Sequence, residues 1–243
     1  MEITPGIGFA VTAISMMACF LLNVLVDNLP IPSKYADRSQ RHKWRNVVVS
    51  TIHAVSGTIG GFVSIYFAPE LLKDHMNVPS SIMLLSMAIS NGYYIYDFID
   101  LARNTKLNNF LPLMLHHTAS ISFVSWVLVR RKLIGLIAIS SCMELNGIFL
   151  HLRHILLMCG YTKDDIVFRV NNVFNVVTYF VLRLGIFAYD TLWLCWNWND
   201  VGLFLPSMAA TLLGLNIALF IRLIRSDYVK KSAKPMPNDI MAG

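Results

Sequence analysis

Charge is what this 243-residue chain has least of. Asp, Glu, Lys and Arg make up 14% of it, while apolar residues make up 56%. Soluble domains carry roughly 25% charged residues, so a soluble fold of this length is excluded: there is too little polar surface to cover it. The longest polar stretches, 27–45 and 225–243, are too short to form a domain of their own. Cysteine is also sparse. Cys19, Cys142, Cys159 and Cys195 have no paired spacing, which argues against a disulfide framework or a zinc site. Three of them lie in or beside apolar runs, where a thiol behaves as a small hydrophobe. The histidine boxes of membrane di-iron desaturases are missing as well, since His151-x-x-His154 stands without companions. No internal repeat is found.

What is present is a series of apolar runs near 5–26, 46–67, 81–101, 110–129, 133–152, 170–193 and 202–223. Each approximates the ~20 residues a helix needs to cross the ~30 Å hydrocarbon core, and their length and spacing indicate helices rather than a barrel. The expected class is therefore an all-α integral membrane protein with seven spans. On that count Lys and Arg divide unevenly. Loop 27–45, the third loop (Arg103, Lys106), the fifth (Arg153, Lys163, Arg169) and the tail together hold fifteen, against Lys73, Arg130, Arg131 and Lys132 on the other side. The positive-inside rule places the C-terminus in the cytosol and the N-terminus outside. The first run lacks the basic residues that precede a signal peptide, so it is read as an uncleaved helix. The net charge of +6 reflects these membrane-edge clusters, which meet anionic lipid, and no nucleic-acid partner is inferred. Trp193, Trp196 and Trp198 at one edge, and Trp44 with Tyr35 at the other, form interfacial anchors.

Ionisable residues at membrane depth mark functional sites by default. His116 and His117 lie some six residues into the fourth run, about 10 Å at 1.5 Å per residue. Adjacent helical residues point about 100° apart, which assigns the two histidines different jobs. Tyr93, Asp97 and Asp100 share one face of the third run, and the opposite helix directions bring both aspartates to the histidines' depth. Glu144 and Arg183 lie near mid-membrane. An unpaired charge there costs about 2.5–3.5 kcal/mol or more, so the two are expected to pair directly or through water, as a structural or a catalytic pair. His53 and His151 can join the cluster or serve packing; His42, His75 and His154 read as loop or boundary residues. Asp97, Asp100, His116 and His117 are types that zinc or iron accepts, but the spacing is not that of a metal site and none is expected.

Several stretches resemble the TLC domain, the six-helix fold of ceramide synthases and their relatives. They are Trp44–Gly57, Gly92–Asp97, His116-His117, Glu144–Arg153, Arg169–Leu184 and Arg222–Tyr228. More narrowly, the chain resembles TLC domain-containing proteins 1 and 2. The resemblance implies a TLC-type six-helix transmembrane bundle enclosing a cavity, preceded by one N-terminal transmembrane helix. It divides the chain into 1–39 (first helix and basic loop), 40–230 (TLC domain) and 231–243, a tail without apolar periodicity and expected to be disordered. It also implies a plasma-membrane role in phospholipid composition that limits long polyunsaturated chains and so maintains fluidity. In ceramide synthases the residues similar to His116 and His117 are tied to acyl transfer, and Arg183 matches too. Leu113-Met114-Leu115 replaces their Trp-Glu element, and Ser141 and Glu144 replace two aspartates.

Two readings stand. One is a regulator whose cavity binds membrane phospholipids or fatty acyl chains, without demonstrated catalysis. The other is an acyltransferase using acyl-CoA or a phospholipid donor, with His116 and His117 as base or acyl carrier beside Asp97 and Asp100, and with Glu144 and Arg183 in the lipid cavity. No cofactor is inferred in either. A transporter would show inverted repeats and Gly/Pro-broken helices in matching halves; Pro112 and Pro206 lie near run starts, where proline is tolerated.

Overall fold

Thr4 and Pro5 start the first helix. The Thr4 hydroxyl accepts from the Ile7 N–H at 3.4 Å, and Pro5 occupies the first helical position, where its missing N–H costs nothing. The computed structural model describes residues 3–33, 37–104 and 107–228. Its elements are all helical: α1 (Pro5–Asp27), α2 (Arg38–Phe67), a 3-10 turn (Pro69–Leu72), α3 (Ser81–Asn104), α4 (Leu107–Arg130), α5 (Ile134–Ser141) and α6 (Glu144–Met158). Then come α7 (Ile166–Thr178), a π-helical segment (Tyr179–Leu184), α8 (Gly185–Trp196), α9 (Trp198–Val201) and α10 (Phe204–Tyr228). The expectations for Lys34, Tyr35, Lys106 and the tail beyond 228 lie outside the described residues.

Five stretches, Pro5–Asp27, Gln40–Phe67, Ile134–Met158, Ile166–Trp196 and Phe204–Tyr228, are long and apolar enough to cross a membrane. With 24 residues each, α3 and α4 have the length to cross, about 36 Å. They are less apolar because they carry Asn91, Asp97 and Asp100 and the histidine pair. The chain is thus an all-helical, multi-pass membrane protein. Its surface fits that medium: Ile14, Leu21, Tyr66, Val173, Phe180 and Leu192 face outward, while Asn91, Asp97, Asn146, Asn175 and Asn216 are buried. Polar-in, apolar-out packing is what a water-free surround demands.

Packing between neighbours closes a ring. α2 meets α3, α3 meets α4, α4 meets α10, α10 meets α8, and the α8–π–α7 rod returns through α6 to α2. α5 enters from one end against α2, α3 and α8. It is apolar all round and buried from Ile134 to Ala138, as an enclosed helix must be. A strap crosses this end. The Leu133 N–H donates to Met76 O at 3.0 Å and the Gly135 N–H to His75 O at 3.2 Å. His75 is buried, with Nδ1 3.0 Å from Leu71 O and Nε2 2.6 Å from the Tyr189 hydroxyl. It is a loop residue, as expected, lying in the turn before α3, and it packs against the bundle from there. Ile3, Leu71, Leu133 and Ile134 belong to one apolar cluster here. On the strap's surface Asp74 accepts from the N–H groups of Met76 and Asn77 at 2.9 and 3.0 Å, which holds its carboxyl below the usual range.

The opposite end is tied by charge. Arg153 on α6 binds Asp227 on α10 through both carboxylate oxygens, at 2.7 Å from Nε. Lys163 adds a contact at 3.2 Å, and the Asp227 side chain is 1% exposed. Between α6 and α7, Asn146 Nδ2 donates to Asn175 O at 2.9 Å, and Asn171 Nδ2 to Phe149 O at 3.0 Å. Such interhelical amide bonds hold helices together where apolar burial supplies no driving force.

α1 stands outside the ring, on α3. Thr12 and Ser15 donate to Ala88 O and Ile89 O at 3.1 and 2.8 Å, and Asn23 Nδ2 donates to the Tyr96 hydroxyl at 2.5 Å. The approach is close because α3 presents Gly92: a Cβ there would lie 2.7 Å from Met16 N. Replacing Gly92 with leucine should drive the two backbones apart, at about 1–3 kcal/mol or more. The expected result is a lower thermal midpoint in detergent. Gly214→Leu, at a position with open space around the added atom, should leave it unchanged.

Candidate functional site

Two irregular turns face each other inside the ring. Between α5 and α6 the helix tightens, with Cys142 N–H donating to Ile139 O and Met143 N–H to Ser140 O, both at 3.0 Å. Glu144 is therefore the first residue of α6. In the facing rod, residues 179–184 widen into a π turn; Arg183 lies on it, its guanidinium 5.4 Å from the Tyr179 ring centre. Irregular backbone at membrane depth is tolerated where protein or a cavity surrounds it, and π turns recur at functional sites.

A cavity of about 130 Å³ opens between these turns. Its polar end is formed by Tyr94, His116, Glu144 and Arg183; its walls include Met83, Met87, Phe123, Leu136, Phe187 and Leu205. Glu144 Oε1 accepts from the Tyr94 hydroxyl at 3.1 Å and lies 3.8 Å from His53 Nε2. Arg183 is its close neighbour: a Cβ on Gly147 would stand 3.3 Å from Glu144 Oε2 and 4.0 Å from Arg183 Nη2. Among the described residues Glu144 and Arg183 form no direct ion pair within 4 Å, so Arg183 acts on the carboxylate at longer range. His53 is buried, stacked on Tyr93 with ring centres 3.8 Å apart, and so joins this cluster. His151 is half-buried on α6.

The two histidines part company. His116 lines the cavity, 6.4 Å from the Phe187 ring. His117 turns toward α3, with Nε2 3.2 Å from Asp97 Oδ2. Asn46 on α2 completes this second cluster, donating to Asp97 Oδ1 at 2.5 Å and to Asp100 Oδ2 at 3.2 Å. The structure thus brings Asp97, Asp100 and His117 together through a residue that motif reading does not assign a role. Among the described residues no three His, Cys, Asp or Glu side chains converge as a metal ligand set. A further carboxylate, Asp190 on α8, also lines the cavity and accepts from the Ser140 hydroxyl at 2.7 Å. A lone carboxylate in an apolar run is the signal that marks it in the sequence.

Chemically, the arrangement separates two functions. The histidine held by a carboxylate, His117, is not among the cavity-lining residues. The one in the cavity, His116, has no carboxylate hydrogen bond among the described residues, and its Nδ1 is unpartnered. Nucleophilic and general-base sites ordinarily join these features in one side chain, a base oriented by a third group.

The family model of the TLC domain matches residues 43–225, and the chain belongs to the TLC domain family. It is similar to TLC domain-containing protein 2 of Danio rerio, 31% identical over 216 residues, covering 87% of each chain. It is also similar to TLC domain-containing protein 1 of Gallus gallus, 31% identical over 205 residues, 82% of this chain and 80% of the other. TLC domain-containing protein 2 of Homo sapiens is 27% identical over 232 residues, 94% of this chain and 87% of the other. No solved structure matches the chain significantly.

Asn46→Leu leaves the Asp97 and Asp100 carboxylates without their shared donor. Stability should fall by about 1–3 kcal/mol, read as a lower thermal midpoint of the purified protein. Glu144→Leu leaves Arg183 uncompensated. Folded yield should be lower in that variant than in the Glu144→Leu/Arg183→Leu double variant, where no charge is orphaned.

Proposed function

We propose that this protein binds lipid acyl chains within its helical ring and regulates the acyl composition of membrane phospholipids. In this reading it limits long polyunsaturated chains and so maintains fluidity. It acts at the plasma membrane, with the N-terminus outside and the C-terminus in the cytosol. The observation that carries lipid binding is the cavity's lining: mostly apolar side chains with a minority of hydrogen-bonding ones, Tyr94, His116, Glu144 and Arg183 among them. Ligand sites are mostly apolar with a few placed polar groups that fix orientation, and an acyl chain with a polar end fits that pattern. The strap and the apolar cluster beneath it cover one end of the ring, so a chain enters from the bilayer or the opposite face. The direction of the effect and the plasma-membrane address rest on the resemblance to TLC domain-containing proteins 1 and 2.

The separation of His117 from the cavity favours binding over acyl transfer. The second reading, a histidine-dependent acyltransferase using acyl-CoA or a phospholipid donor, is supported by His116 and Arg183 both lining the cavity, each able to donate to a carbonyl oxygen. Turnover of labelled acyl-CoA by purified protein, lost in His116→Ala, would establish that reading and displace the first.

Cells lacking the protein should accumulate long polyunsaturated phospholipid chains, and wild type should restore the profile. His116→Ala at matched expression should restore it only partly, because the cavity loses a polar contact. His117→Ala should instead lower the amount of folded protein, because Asp97 keeps Asn46 but loses its contact with the imidazole. Lipidomics after rescue, normalised to protein level, reads both. An unchanged profile on deletion would overturn the proposal.

A further inference from the structure

Asp190 is the one cavity-lining carboxylate, among the described residues, whose role the lipid-binding reading leaves open. It lies on the inward face of α8 between Phe187 and Leu194, all three buried and all three lining the cavity. Its neighbours on that face are apolar, and the Asp190 residue is 6% exposed. Oδ2 accepts from the Ser140 hydroxyl. Oδ1 is buried and has no hydrogen-bond partner among the described residues. The Ser140 hydroxyl is itself shared, because it also lies 2.9 Å from Leu136 O, and a hydroxyl has a single proton to give. A buried acceptor left unmatched carries a desolvation cost.

The geometry points to a hydroxyl-binding subsite formed by Asp190 and Ser140, so that the cavity takes a single-chain lipid bearing a hydroxyl part-way along its acyl chain. The chain's carbonyl or carboxylate end meets Arg183 and His116. Asp190 lies seven residues further along the same rod, about 10 Å at 1.5 Å per residue, and this separation sets the place of the hydroxyl. A hydroxyl suits the position better than an ammonium, because a neutral group costs far less to bring into the apolar half of the cavity. It also pairs with either protonation form of the carboxyl, since it both donates and accepts. The inference rests on the acyl-binding reading of the cavity and adds to it a discrimination among chains.

The test uses the full-length protein in lipid nanodiscs and two probes: octadecanoate, and octadecanoate carrying a hydroxyl on its tenth carbon. Binding is measured as displacement of labelled octadecanoate. The wild type should bind the hydroxylated chain about tenfold more tightly, the scale of one hydrogen bond to a charged acceptor. Asp190→Leu should bind both chains equally, and Ser140→Ala should keep part of the preference. Asp190→Asn, close in size to the native residue, replaces the leucine variant if that one fails to fold, and should show a reduced preference. If both chains bind the wild type alike, the subsite is refuted and the acyl-binding cavity stands. A preference that survives both Asp190 substitutions refutes the assignment to Asp190. If neither chain binds, the acyl-binding reading falls with it.

Discussion

No bulk water reaches the middle of a bilayer, so each polar group carried there must be matched by another helix. That constraint organises the ring. Asn146 reaches Asn175, Asn171 reaches Phe149 O, and Tyr179 donates to Asn216 O at 3.2 Å; each bond joins different elements of the ring. Apolar burial cannot do this work among lipids, because an apolar side chain is as comfortable against an acyl tail as against a neighbouring helix. The polar residues therefore specify which helices meet, and the Arg153–Asp227 clamp fixes where the last helix ends.

The same constraint explains why the interior separates into two polar centres. Asp97, Asp100, Asn46 and His117 contact one another at the α2–α3–α4 junction, although Nδ1 of His117 has no partner among the described residues. Tyr94, His116, Glu144 and Arg183 are arranged around a space. A histidine pair adjacent in sequence thus serves both: one imidazole is spent on cohesion and the other faces the cavity. The 100° angle between successive helical positions is sufficient to send them apart.

Much of this was legible in the chain itself. Among the described residues, five stretches are helices long and apolar enough to cross a membrane, and each overlaps an apolar run of the sequence, because hydrocarbon thickness sets a length that composition records. The nearness of Asp97 to His117 follows from counting residues inward along oppositely directed helices. Several features escape such counting. Asn46 sits at the polar margin of its run, where an amide carries no signal of burial. The tightened turn at Cys142–Met143 and the wide turn at 179–184 contain neither proline nor glycine, so nothing local announces them; they are products of packing. Asp190 carries the same signal as Glu144, a carboxylate in an apolar run, but lies outside the segments that carry the family resemblance. Arg153 and Asp227 are 74 residues apart, a pairing only the closed ring reveals.

The wide turn sets the rotational phase of everything beyond it. A helix that accommodates one additional residue in a turn reaches its next regular stretch about 100° out of step with an uninterrupted rod. Phe187, Asp190 and Leu194 look inward on that offset. The segment from Tyr179 to Leu184 therefore works as a gear: shortening it by one residue would swing this face of α8 by about 100°, away from the cavity, and the wall would be made by residues that now lie on the helix's flank.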